Sequence, residues 1–160
     1  MYISFDEYTE LYDPIEERDF NRLLFQACQA VDRFTTGVDG VKKLRVAFPT
    51  DEDDATAVKR CVANVTNILY QIQEAEKSAS LARGYAETAN GLQGKVVSSV
   101  SAGNESVSFA SGGGSTSVDK AITNIAERNR LIQSIVREYL SGVADSNGVN
   151  LLYMGVYPRA

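Results

Sequence analysis

The sequence predicts a mainly α-helical fold: a small helical bundle with a protruding Ser/Gly-rich β-hairpin or loop and an extended C-terminal tail. Three observations predict it. Apolar residues recur at steps of three and four over three long stretches. Residues 98–117 hold eight Ser and four Gly in twenty positions, too little apolar surface for a core of their own. Near its end the chain has an apolar string over 151–157 that is too short for a helix and rich in strand formers. A length of 160 residues suits one domain and not two. The expected organisation is a helical core over about 4–90 and 116–142, a hairpin or loop over 94–115 and a tail over 143–160.

Ser4 followed by Glu7 has the spacing of a capping box and starts a short helix over about 5–12. Asp13 and Pro14 stop it and begin the next: Asp13 caps, Pro14 takes the first helical position, and Glu16 and Glu17 complement the positive end of the helix dipole. Phe20, Leu23, Leu24, Ala27, Val31 and Phe34 then keep one face apolar up to Gly37. Residues 37–49 read as a loop carrying Lys42, Lys43 and Arg45. Thr50 caps a third helix whose first turn is Asp51, Glu52, Asp53 and Asp54, and whose stripe is Val58, Cys61, Val62, Val65, Ile68, Leu69 and Ile72. That pattern fades through alanines toward Gly84.

Around Gly103-Asn104 a period of two, with Val96, Ser98, Val100 and Ala102 before it and Val107 and Phe109 after it, predicts a mobile β-hairpin. A hinge at Gly112-Gly113-Gly114 follows. Thr116 and Asp119 open a last long helix bearing Ile122, Ile125, Ile132, Ile135, Val136 and Leu140, and Gly142 ends it. The expected core gathers Leu23, Leu24, Val31, Val62, Val65, Ile68, Leu69, Ile125, Ile132 and Val136.

The chain contains no His, which removes the usual serine and cysteine triads, zinc hydrolases and any imidazole base. Two Cys cannot close a zinc site alone; Cys28 and Cys61 fall on apolar helix positions, where free thiols behave as small hydrophobes. A disulfide between them is the minority reading in a chain made in the cytoplasm. The N-terminus lacks the basic and apolar regions of a secretory signal, and no stretch approaches the roughly 20 apolar residues of a membrane span.

Gly91-Leu92-Gln93-Gly94-Lys95-Val96 is not a phosphate loop, because Ala89 stands where the first glycine belongs and Val96 where a magnesium-binding hydroxyl belongs. Asp51 to Asp54 lacks calcium-loop spacing and is explained as the acidic first turn of a helix. A helix-turn-helix reader at Asp13-Pro14 would present Glu16, Glu17 and Asp19 to phosphates that repel them. No catalytic, cofactor-binding or metal-ligating residue is assigned, and the expectation is a protein that is not an enzyme.

Sixteen Lys and Arg against twenty-one Asp and Glu give a net charge of −5. The charge is uneven: residues 1–54 carry −7 and residues 55–160 carry +2. Opposite-sign regions can complement each other in head-to-tail assembly, and a closed head-to-tail assembly is a ring. The other reading is an intramolecular coincidence. Lys42, Lys43 and Arg45 are the one local basic feature, ordinarily a solvated loop, although many copies arrayed in a ring would let it contact DNA.

Three strings carry a resemblance: Tyr2-Ile3-Ser4-Phe5-Asp6-Glu7-Tyr8, the helix from Phe20-Asn21-Arg22-Leu23-Leu24 to Phe34-Thr35-Thr36-Gly37, and Leu152-Tyr153-Met154-Gly155-Val156. With the order short helix, long helix, acidic-capped helix, Ser/Gly insertion, final helix and apolar tail, the chain resembles the head-tail connector proteins of tailed bacteriophages, also called adaptors or head-completion proteins. The long Ser/Gly segment departs from the simplest pattern of that family. The resemblance implies a structural subunit of the virion neck that forms a ring, usually a dodecamer, beneath the portal. Such a ring extends the DNA channel and offers a docking surface to the next neck or tail-completion protein.

The implied partners are further copies of itself, the portal protein and that next component, with DNA passing through without sequence-specific binding and no membrane. The implied place is the head–tail interface of the virion, after assembly in the host cytoplasm. The residues expected to meet partners or the DNA channel are Lys42, Lys43 and Arg45 in the loop, Val100, Val107 and Phe109 in the hairpin, and Leu151, Leu152, Tyr153, Met154 and Val156 in the tail. Hairpin and tail are expected to order on assembly, the hairpin against a neighbour or the channel and the tail on the portal as an added strand. The competing readings are a DNA-binding packaging or regulatory protein of the small-terminase type and, third, an enzyme working with carboxylates alone.

Overall fold

The computed structural model describes residues 1–82, 85–88, 91–94, 100–102, 105–107 and 124–158, with side chains over 1–77 and 124–158. Among these residues the chain is mainly helical, with α1 Phe5–Thr9, α2 Glu17–Thr35, α3 Lys43–Val46, α4 Glu52–Ala82 and α5 Ile125–Leu140. The remaining regular backbone is two short antiparallel ladders. Tyr85–Thr88 pairs with Gly91–Gly94, and Val100–Ala102 pairs with Glu105–Val107 with Val100 opposite Val107.

Helix α4 is the spine. Its 31 residues span about 46 Å at 1.5 Å per residue, and it packs against both α2 and α5, which touch each other less. Their facing stripes, Leu24, Ala27 and Val31 from α2, Val58, Cys61, Val62 and Val65 from α4, and Ile132, Val136 and Leu140 from α5, form one buried cluster. Polar pairs bolt the helices at its edges: Lys59 reaches Glu7 at 2.6 Å from α4 to α1, and Asn64 donates to the Tyr139 hydroxyl at 3.1 Å from α4 to α5. Helix α1 closes one end through rings, Phe5 edge-on to Phe20 with centroids 5.2 Å apart and Tyr8 tilted on Phe20 at 5.1 Å.

The helix starts follow local chemistry. Ser4 and Glu7 form the capping box that their spacing predicts, the Ser4 hydroxyl accepting from the Glu7 amide and the Glu7 carboxylate from the Ser4 amide. Helix α2 begins at Glu17, three residues beyond the Pro14 position expected from sequence. Ile15 packs on the core from extended backbone, one residue before the Glu16 cap and five before Phe20, the spacing of a hydrophobic staple. Asp51, not Thr50, caps α4: its carboxylate accepts from the amides of Asp53 and Asp54, each at 3.1 Å.

Helix α4 ends at Ala82, so the helical core does not run to about 90; Tyr85–Thr88, with a Tyr and a Thr, is paired strand. Nor does one helix run through from Thr116. Asn124 is extended at φ −142° and its side chain caps Ala126, which starts α5 at Ile125; residues 116–123 lie outside the described set.

Of the expected core, Leu23, Leu24, Val31, Val62, Val65, Ile132 and Val136 are buried, while Ile68 and Leu69 pack half-buried against it. Ile125 is corrected: at the mouth of α5 it is 75% exposed. Cys28 and Cys61 are buried free thiols. Burial pushes the Cys61 thiol up to about 12 and raises Cys28 as well.

Candidate interaction surface

The C-terminal tail is not an extended appendage. Gly142, at φ +85° just past the Ser141 cap, takes the left-handed conformation that turns the chain off α5. The Ala144 to Asn150 bridge then brings Leu151 back into the core, where it is fully buried. The apolar string includes a residue that the bundle itself needs, so burial of Leu151 draws the tail onto the helices.

Lys43 is the clasp. It was expected in a solvated loop, yet it lies in the short helix α3 with its side chain fully buried. Its ammonium donates to the backbone carbonyls of Leu151 at 2.9 Å, Asn150 at 3.3 Å and Tyr153, and sits 5.7 Å from the centre of the Tyr153 ring. Three donors on one ammonium meet three carbonyls, of which only that of Asn150 also accepts a backbone amide, from Tyr153. Burial lowers the Lys43 pKa, against which the Asp145 and Asp39 carboxylates act.

Those carboxylates fasten the rest of the tail: Asp39 accepts from the Tyr157 amide at 2.7 Å, and Asp145 from the Tyr157 hydroxyl at 2.6 Å. The Val38 amide donates to the Met154 carbonyl at 3.0 Å. At Gly37 the two segments are so close that a Cβ would stand 2.5 Å from the Gly155 carbonyl oxygen.

Arg45 is also committed. Its Nε lies 2.6 Å from the buried carboxylate of Asp32, whose other oxygen accepts from the Tyr2 hydroxyl at 2.5 Å. Burial, and then donation to Asp32, raises the Tyr2 pKa above the ordinary tyrosine range. The same Asp32 contact raises that of Arg45. Over this triad opens a groove of about 570 Å³ walled by Phe25, Gln29, Arg33, Thr36 and Lys42. Its cations outnumber its one acid, which Arg45 already neutralises. A second groove of about 220 Å³ lies between α2, α5 and the tail, with Phe34, Val136 and Leu152 flanked by Arg33 and Arg137.

Of the residues picked from sequence, Lys42 is exposed, Lys43 is internal and Arg45 is paired. Leu151 is core, Leu152 is half-buried in the second groove, and Tyr153, Met154 and Val156 are exposed at 50%, 52% and 66%. With Val38, whose amide bonds the Met154 carbonyl, they are the exposed apolar side chains of this anchored segment, here called the ledge. Val100 and Val107 are paired backbone whose side chains lie outside the described residues, as does Phe109 altogether.

Sequence reasoning missed Asp32, Asp39 and Asp145. Asp32 carried a signal, because it lies on the apolar stripe of α2, four residues after Cys28 and three before buried Thr35. Among the described residues no group of carboxylates or thiols has a metal-holding arrangement, and no helix is long and apolar enough to cross a membrane.

Comparisons with protein-family models, with curated proteins and with solved structures each returned no match.

Proposed function

We propose that this chain is a structural subunit of the head-tail connector kind, a helical wedge that joins a ring at the portal vertex of a tailed phage and extends its DNA channel. The observation that carries the reading is the clasped tail. Lys43 and Leu151 hold it against the bundle, while Tyr153, Met154 and Val156 face outward with Val38. Exposed apolar side chains on a fixed backbone suit a docking partner, because little conformational entropy remains to be lost on binding. In this reading the portal takes up that ledge. In the same reading the paired strands Val100–Ala102 and Glu105–Val107 serve contact with a neighbouring subunit or the channel.

The resemblance of the Tyr2, Phe20 and Leu152 strings to connector proteins supports the same reading. It makes the protein a non-enzymatic component of the virion neck. The small-terminase alternative relies on Lys42, Lys43 and Arg45 as phosphate contacts, and loses weight because Lys43 is sealed by tail carbonyls and the charge of Arg45 is paired with Asp32. The test is to mix the purified chain with portal rings or DNA-filled, tailless heads, then to sediment and image them. Binding as an added ring at the portal supports the reading, and its absence overturns it.

A further inference from the structure

The basic groove over Asp32 belongs to an acidic protein, and the acid is concentrated elsewhere. Residues 1–19 hold seven Asp and Glu against one Arg, and of these Asp6, Glu10, Asp13, Glu16 and Glu17 are exposed. Beside these acids the segment exposes Leu11, at 47%. The groove offers the inverse: Arg33 and Lys42 exposed on its rim, Asp32 neutralised by Arg45, and Phe25 exposed at 57% on the face of α2. Arg137 extends the cationic rim beyond Arg33 on the side of the second groove.

The acidic start of α2 at Glu17 and the cationic rim at Arg33 lie at opposite ends of that helix, with Phe25 midway. Sixteen residues separate Glu17 from Arg33, a rise of about 24 Å, several times the reach of an ion pair. A single chain therefore has an acidic, Leu-bearing end and a basic, Phe-bearing groove that it cannot bring together by itself. Two copies can. The contact joins unlike patches, so each copy still has one of each to offer after pairing, which is the geometry of a growing chain or a closed ring.

We propose that the acidic segment around Glu10, Leu11 and Asp13 of one copy docks in the groove of Arg33, Lys42 and Phe25 of the next. This deepens the connector reading and rests on it for the ring, and it names the surfaces by which successive subunits join. The contact is mostly exposed charge, so it strengthens as salt is removed and the screening length grows.

The test is the mass distribution of the full chain by sedimentation or light scattering, at high concentration and at low and physiological salt. The expected result is association at low salt that weakens at physiological salt. Arg33→Glu with Lys42→Glu weakens it about tenfold or more, and so does Glu10→Lys with Asp13→Lys. Arg60→Glu with Arg130→Glu, the same charge change on other exposed positions, leaves it unaltered; circular dichroism melts check that every variant folds. Mixing the two interface variants restores association, because acid on one then meets base on the other at every contact.

A wild type that stays monomeric at low salt, or interface variants that do not rescue each other, overturns the inference. So does a groove whose charge reversal leaves self-association intact and abolishes salt-sensitive binding of duplex DNA. Failure of the connector reading is read separately: self-association as described with no binding to portals or heads removes that reading and leaves the contact standing.

Discussion

The Lys43 ammonium donates to the Leu151 carbonyl at 2.9 Å, across 108 positions of sequence, and both residues are fully buried. This one contact joins the short helix α3 to the tail and fixes the ledge of Tyr153 and Met154. Replacing Lys43 by Met keeps the stem and removes the donors, leaving the Leu151 and Tyr153 carbonyls short of partners while the Asn150 carbonyl keeps the Tyr153 amide. The expected loss is about 2–3 kcal/mol of stability, or roughly 5–10 °C in Tm for a chain of this size. Faster amide exchange over 150–154 than over α4 would accompany it. A variant as stable and as protected as the wild type would contradict the clasp.

Asp32 joins the N-terminal segment, through Tyr2, to Arg45 in the groove. Asp32→Asn keeps the shape but removes the charge that faces Arg45, while Tyr2→Phe removes one donor. The first is expected to cost more than the second, about 2 kcal/mol against about 1, since Asp32→Asn takes the charge out of both bonds whereas Tyr2→Phe removes one of them. Denaturant unfolding of both variants and the double mutant checks the order. A double mutant that costs the full sum would mean that the two contacts act independently.

The carboxyl of Glu7 is held down to about 2, first by Lys59 and then by the Ser4 amide, from an ordinary value of 4.5. A carboxyl lowered on folding contributes stability that is fully present above its unfolded value and is lost as pH falls through its folded one. The window is therefore pH 4.5 down to about 2. Both side chains are partly exposed, so screening keeps the contribution small. Glu7→Gln is expected to flatten this part of the stability–pH curve and to leave about 1 kcal/mol less at pH 7. A curve that keeps the same slope between pH 4.5 and 2 would assign the acid sensitivity elsewhere.

Gly37→Ala tests the seam between the connector after α2 and the tail. The new Cβ meets backbone, the Gly155 carbonyl at 2.5 Å, which cannot swing aside as a side chain would. A loss of about 1–3 kcal/mol is expected, the scale of overpacking, with earlier proteolysis of the tail. An unchanged melt and an uncut tail would mean that the seam opens without cost.

Much of the helical frame was legible because it rests on local rules. The steps of three and four in α2, α4 and α5 and the Ser4 to Glu7 spacing each act within a turn or two of chain. The tail was misread because its fate is set at long range. Nothing near Leu151 says that a lysine 108 positions earlier will cap its carbonyl. A Lys-Lys-Leu-Arg run reads as solvent-facing on composition, and only the fold divides it into an exposed Lys42, an internal Lys43, a buried Leu44 and a paired Arg45. The start of α5 was misplaced for a related reason: the pattern of apolar residues continues through Asn124, while the backbone there breaks to let that side chain cap Ala126.

The proposed role requires the clasped tail to present its ledge to a portal. Electron microscopy of portal rings incubated with the full chain tests this, with Met154→Ser and Val156→Ser as a ledge variant that leaves Lys43, the Tyr153 ring over it and Leu151 in place. The account predicts an added ring of density on the portal with the wild type and its loss with the folded ledge variant. Bare portal rings with the wild type, or equal rings with both proteins, would contradict it.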